Sequence, residues 1–203
     1  MADWDEDSPR LRQNLTAILE QIADESDQRK IPTLELVRNW QRTLMQGLKT
    51  GDPRYVGRFR GESGLERTGV RIGPHWGVRP SDVAAELREF ERKLQAAVSR
   101  FDEALPLGKE LSSEELDAVL DLCAWAHAEW VRIHPFANGN GRTARLWANF
   151  LAMRYGLPPF VRLRPRPDDG YEAAGMRAMR GRWEPTAVVF RRMLNRFLEE
   201  FAT

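Results

Sequence analysis

The chain holds one stretch whose residue types and spacing suit phosphate chemistry: His134, Pro135, Phe136, Ala137, Asn138, Gly139, Asn140, Gly141, Arg142, Thr143, Ala144 and Arg145. Gly139 and Gly141 let the backbone approach a ligand closely. The amides that open a following helix point at whatever fills the loop, which makes an anion cradle. Arg142 and Arg145 stand three apart, so on that helix they project from neighbouring positions and can grip a polyphosphate with forked donors. His134 precedes the cradle by a short turn, where an imidazole can take a proton from an incoming hydroxyl. A helix start and two arginines nearby are expected to hold it neutral, ready as a base. This is the equipment of phosphoryl or nucleotidyl transfer, in which positioning and charge neutralisation do most of the catalysis, with magnesium as the expected companion.

Such a loop needs rigid elements on both sides, and the apolar periodicity supplies them. Leu11, Leu15, Ile18, Leu19 and Ile22 draw one helical face from Pro9 to Asp24. Thr33 caps a second helix with a seam at Leu36, Trp40, Leu44 and Leu48. Between Gly51 and Pro80 glycine and proline are dense, and Val70, Arg71 and Ile72 form a short alternating run between glycines, which predicts a small hairpin. A long amphipathic helix follows from Ser81 to Phe101, then another from Ser112 or Ser113 to Arg132, opened by a capping arrangement. The loop comes next, then a helix from Arg142 through Leu146, Phe150 and Met153, and two more at 170–179 and 185–201. The expected fold is all-α, with one small β-hairpin.

Composition narrows the setting. With 203 residues, 42% hydrophobic and 30% charged, the chain fits one soluble globular domain. Thirty-one basic residues against thirty acidic ones leave a formal charge of +1, so no global field marks a nucleic-acid or membrane-surface binder. The arginines of the C-terminal third are interleaved with acids and read as a solvated surface, so no nucleic-acid partner is expected. A single cysteine, Cys123, excludes an intrachain disulfide and is expected to pack inertly in the core. No segment is long and apolar enough to span a membrane. The acidic stretch from Met1 to Pro9 lacks the features of a secretory signal, so a cytoplasmic location is expected, specialised secretion signals being invisible at this level.

The segment HPFANGNGRTAR resembles the signature of the Fic family, His-Pro-Phe-x-Asp/Glu-Gly-Asn-Gly-Arg-x-x-Arg, and departs from it at Asn138. GRFRGESGLERTGVRIG, residues 57–73, is similar to the family's flap, and the resemblance spans roughly residues 33–155. It implies a helical Fic-like domain over 33–203 behind an N-terminal helical segment, 1–32. It further implies transfer of AMP from ATP, or from another nucleoside triphosphate, to a serine, threonine or tyrosine hydroxyl of a target protein. By position, His134 is the general base and Phe136 anchors the loop. Gly139, Asn140 and Gly141 cradle the α- and β-phosphates, Arg142 neutralises the departing pyrophosphate, and Arg145 binds the terminal phosphate. Val70, Arg71 and Ile72 align a target strand by backbone pairing. Asn138 stands where the family has a magnesium-ligating carboxylate. An amide oxygen can still meet Mg2+, but without a negative charge.

Thr16-Ala17-Ile18-Leu19-Glu20 is similar to the family's inhibitory motif, in which a glutamate pairs with the second motif arginine; Gln21 departs from it, and an ordinary solvated helix face is the competing reading. Trp130 and Trp147 either pack in the core or border a base pocket, whereas His75 and His127 are expected to have no role. Two rivals to adenylyl transfer remain. One is a Doc-like phosphotransferase that binds the donor reversed; the other is a degenerate interaction module or toxin component. An antitoxin and a second copy of the chain are candidate partners.

Overall fold

A computed structural model describes residues 8–201, so most of the acidic N-terminal stretch lies outside the described residues. The chain folds as seven helices and one two-stranded antiparallel sheet among those residues, as the apolar periodicity predicts. Helix α1 (Pro9–Asp27) starts at a proline, with Ser8 Oγ accepting the Leu11 amide at 3.1 Å. Helix α2 (Leu34–Met45) is capped by Thr33, whose Oγ1 accepts the Leu36 amide at 3.2 Å. It stops short of Leu48 because Gly47 takes a left-handed conformation (φ 71°), although Leu48 is still buried.

Strands β1 (Arg71–Ile72) and β2 (His75–Trp76) pair around Gly73 and Pro74, with Arg71 opposite Trp76 and Ile72 opposite His75. The hairpin therefore reaches beyond the 57–73 bounds read from sequence. Residues 57–70 form turns instead, because Phe59, Arg60 and Leu65 point into the core and Phe59 bridges to Phe136. Helix α3 spans Pro80–Ala104 and α4 spans Ser113–Ile133. The latter opens with a reciprocal cap: Ser112 Oγ accepts the Glu115 amide at 3.3 Å, and the Ser112 amide donates to Glu115 at 2.9 Å. Helices α5 (Asn140–Arg154), α6 (Tyr171–Ala178) and α7 (Glu184–Phe201) complete the chain.

The core centres on α4 and α5, against which α1, α2 and α7 pack. Trp40, Trp130, Trp147, Phe90 and Phe150 make one aromatic cluster, with Trp40 and Trp147 ring centroids 4.7 Å apart. Both Trp130 and Trp147 are fully enclosed in it, which settles them as core residues and removes them from any base pocket. Leu11, Leu15, Ile18 and Ile22 join the same cluster, so α1 shares one core with everything after residue 32. Cys123 is buried and its thiol is pushed up by that burial, as inert packing requires.

Candidate active site

Helix α4 ends at His134, which adopts a left-handed backbone (φ 54°, ψ 57°). Pro135 disfavours right-handed helical geometry at the residue before it, and the His134 amide still closes the last turn onto Trp130 O at 2.9 Å. Its Nδ1 lies 3.0 Å from Val131 O. A carbonyl only accepts, so Nδ1 carries the hydrogen and Nε2 holds the lone pair. Burial pushes this imidazole down to about 4; the Val131 bond works against the shift, and the Arg60 guanidinium adds to it. The ring is thus neutral at pH 7. The cause differs from the sequence expectation, since burial and Arg60 take the place of the helix start and the motif arginines.

The loop after His134 is closed by its own side chains. Asn140 accepts the Phe136 amide on Oδ1 and donates Nδ2 to Phe136 O, both at 2.8 Å, while the Phe136 ring packs against Phe59 and Trp130. Asn140 therefore holds the loop, and its side chain faces the Phe136 peptide. Gly139 caps α5 at φ 85°, a left-handed conformation that a side chain would strain, and an added Cβ would stand 2.8 Å from Met45 Cε. The helix begins at Asn140, two residues before Arg142. Its first internal bond runs from the Thr143 amide to Gly139 O at 2.9 Å, and the amides ahead of it occupy the turn where helices hold anions.

His134, Asn138, Gly139, Gly141, Arg142 and Arg145 line one cavity of about 580 Å³, which they share with Ile72, Gly73 and Pro74 of the hairpin and with Tyr171 and Glu172 of α6. That volume suits a nucleotide-sized ligand. Arg145, 6% exposed, is fixed by two neutral acceptors: Nη1 donates to Tyr171 Oη at 3.2 Å and Nη2 to Leu163 O at 3.0 Å. Arg164 and Arg166 line the same cavity. Of the hairpin residues, Ile72 reaches it, whereas Arg71 is exposed and bonds Gly73 O at 2.8 Å. Val70 does not line it, though its carbonyl accepts the Gly77 amide at 3.0 Å.

Three residues that sequence reasoning passed over belong to the site or its frame. His127 lines the cavity, with Nε2 2.7 Å from Tyr171 Oη; burial first, then Arg145, push it down to about 3. Tyr171 links that histidine to Arg145. Arg60 contacts the His134 peptide directly, with Nε 2.7 Å from His134 O. Only contacts across the fold distinguish these three, so no spacing rule would have found them.

Position 138 offers magnesium no anionic ligand. Asn138 Oδ1 accepts from the Gly139 amide, Glu172 is the one carboxylate lining the cavity, and no cluster of metal-binding side chains occurs among the described residues. A hard, octahedral cation wants anionic oxygen, which a neutral amide turned onto its own backbone does not supply. Glu20 and Thr16 are exposed on α1, and Thr16 Oγ1 bonds Arg12 O at 3.3 Å. Arg145 has Tyr171 and Leu163 as partners, so the structure does not make the pairing that an inhibitory Glu20 requires. The buried acid on α1 is Glu25, which accepts Trp40 Nε1 at 2.6 Å.

A neutral imidazole at the end of α4 and the start of α5 line one cavity within a helical core. Residues 31–152 match the Fic/DOC family, and the chain belongs to that family. It is 37% identical over 110 residues to the protein adenylyltransferase Fic of Drosophila persimilis and of Drosophila melanogaster. That match covers 54% of this chain and 18% of each relative, so the chain spans under a fifth of their length. Among solved structures, Fic-1 of C. elegans aligns with TM-score 0.58 at 23% identity over 92% of this chain and 51% of that one. The N-terminal Fic domain of a VirB-translocated Bep effector from Bartonella quintana, solved with bound ADP, aligns with TM-score 0.58 at 18% identity over 95% of this chain and 89% of that one. These likenesses establish the fold. No helix among the described residues is long and apolar enough to cross a membrane.

Proposed function

We propose that this chain is a protein adenylyltransferase, moving AMP from ATP to a hydroxyl side chain of another protein. The observation that carries the reading is the His134 tautomer: its Nδ1–H is engaged by Val131 O, and its basic Nε2 belongs to a ring that shares one cavity with Arg142, Arg145 and the start of α5. Family membership and the relatives named adenylyltransferases support the choice of AMP as the group moved.

In this reading the triphosphate lies on the α5 start, and Arg142 and Arg145 face its outer phosphates. A serine, threonine or tyrosine hydroxyl, presented beside the hairpin, gives its proton to His134 Nε2. The oxygen forms a bond to the α-phosphorus as the bond to the β-phosphate oxygen breaks, and pyrophosphate leaves with its charge met by the two guanidiniums. Arg145 needs little reorganisation, because Tyr171 and Leu163 already hold it. Ile72 shares the cavity with His134 and, in this reading, touches the incoming segment.

The test is incubation with ATP labelled at the α- or the γ-phosphate, together with cell lysate, for the chain and for His134→Ala. Label from the α-phosphate alone, lost in His134→Ala by about 10²–10⁴-fold, is the expected result. Label from the γ-phosphate would replace this reading with phosphorylation, and label from neither would leave a binding module.

A further inference from the structure

Arg60 is 1% exposed, which is rare for an arginine, and no carboxylate pairs with it among the described residues. Backbone carbonyls hold it instead. Nε donates to His134 O at 2.7 Å, Nη1 to Thr68 O at 3.2 Å, and Nη2 to Val78 O at 2.8 Å and Ile133 O at 3.0 Å. Its own amide bonds Pro135 O at 2.7 Å. Thr68 precedes the hairpin and Val78 follows it, whereas Ile133 and His134 are the last turn of α4. One side chain therefore spans both ends of the hairpin and the peptide that carries the histidine. A buried guanidinium without a counter-ion is costly, and here it is offset by carbonyl dipoles, including those at the negative end of α4.

We propose that Arg60 is a positioning residue of the transfer reaction: it ties the hairpin to the His134 peptide, so that the surface presenting a target hydroxyl and the base receiving its proton hold one register. This rests on the reading of His134 as base. Two neighbouring contacts argue for it independently. The Val78 amide donates to Ile133 O at 3.3 Å, repeating the tie in the main chain. Gly77 approaches so closely that an added Cβ would stand 2.8 Å from His134 Cβ and 3.1 Å from Arg60 Nη2. A hairpin merely resting on the bundle would need neither a glycine nor a buried cation at that seam.

Arg60 also acts on the imidazole electrostatically, since its charge helps keep the ring neutral. His127 of α4, Arg142 and Arg145 of α5, Arg164 and Arg166 of the following segment and Glu172 of α6 share the cavity with His134.

The experiment compares Arg60→Gln, Arg60→Lys and Gly77→Ala with the parent chain, after circular dichroism has shown which are folded. Turnover and KM for ATP are measured across pH, the His134 ring is titrated by NMR, and hydrogen exchange is followed at the Gly77 and Val78 amides. Arg60→Gln is expected to lower turnover about 100-fold, the effect of misplacing reacting groups by about 1 Å, with KM for ATP unchanged. Its His134 titration should move up in pH, and both amides should exchange faster while mid-α4 amides do not. Arg60→Lys should restore the titration but not the turnover. Gly77→Ala should lose turnover with little change in titration. The proposal is overturned if folded Arg60→Gln keeps its turnover, or loses turnover and ATP affinity together with the amides unmoved. Should Arg60→Gln not fold, undiminished turnover in Gly77→Ala overturns it. A parent chain that transfers nothing would sink the adenylyltransferase reading and the catalytic role together; faster exchange and a raised titration in Arg60→Gln would then sustain only the clamp.

Discussion

Two buried arginines at opposite ends of α5 are held in opposite ways. Arg154, 4% exposed, meets a carboxylate: Nη2 lies 2.5 Å and Nε 3.1 Å from the Asp102 oxygens, and Nη1 donates to Lys30 O at 2.9 Å. Tyr155 and Arg29 also bond Asp102, so that end of the helix is a closed ionic knot joining α3, α5 and the segment after α1. Arg145 is equally buried, yet a hydroxyl and a carbonyl hold it. The difference lies in what remains of the charge. A guanidinium neutralised by a carboxylate is committed to structure, whereas one oriented by neutral dipoles is fixed in place and still presents its full charge to an anion.

The sharpest way to break that contrast is to remove each arginine in turn. Arg154→Leu leaves the half-buried Asp102 without its main partner and should destabilise the fold by about 1–3 kcal/mol, read from denaturant midpoints, while ATP binding per folded molecule is unchanged. Arg145→Leu should do the reverse. Transfer falls about 10²–10³-fold, on the order of 3–4 kcal/mol of transition-state stabilisation, with a much smaller shift in midpoint. If both variants lose stability alike and neither loses transfer selectively, the two guanidiniums do not differ in the way their partners imply.

Legibility in the sequence divides along the same line. Helices, the hairpin's first strand and the loop from His134 to Arg145 could be read because period, caps and glycines are local signals. The neutrality of His134 was also legible, though not its cause. Burial and Arg60 act through tertiary contacts, and Arg60 sits in a segment whose glycines suggested only a turn or flap. Asn140 shows the limit of carrying a role by position: it lies in the loop as expected, but its side chain faces Phe136. Glu20 is exposed on α1 while Arg145 bonds Tyr171 and Leu163, and Thr-x-x-x-Glu spacing says nothing about which face of α1 meets α5. Trp130 and Trp147 could not be assigned between core and pocket from sequence, since both readings require the same residue at the same helical position.

A gentler change sharpens the contrast at the cavity mouth. Asn138→Asp adds a carboxylate where the structure has a neutral amide, which imports the ionic style of the Arg154 end into the site. Without divalent metal, ATP binding measured by calorimetry should weaken about tenfold, on the order of 1 kcal/mol of like-charge repulsion against the phosphates. Magnesium should restore it in the variant and change it little in the parent chain. A parent chain whose binding depends steeply on magnesium would mean that phosphate oxygens build the metal site without help from position 138.

The smallest effect concerns pH. His134 is depressed to about 4 in the free chain, so its neutral form persists well below pH 6.5. Stability linked to it is fully present above the ordinary histidine range and is lost as pH falls from about 6.5 toward 4, because the unfolded chain takes up the proton first. The acid limb of kcat/KM, which reports the free enzyme, should therefore sit near the low value. A bound triphosphate brings negative charge beside the ring and favours the imidazolium, so the acid limb of kcat should lie higher by about one unit or more. That separation follows from a base kept neutral by burial and by the Arg60 guanidinium. Coincident limbs would show that the anion does not reach the imidazole, and that the cations at this end of α5 serve the fold as Arg154 does.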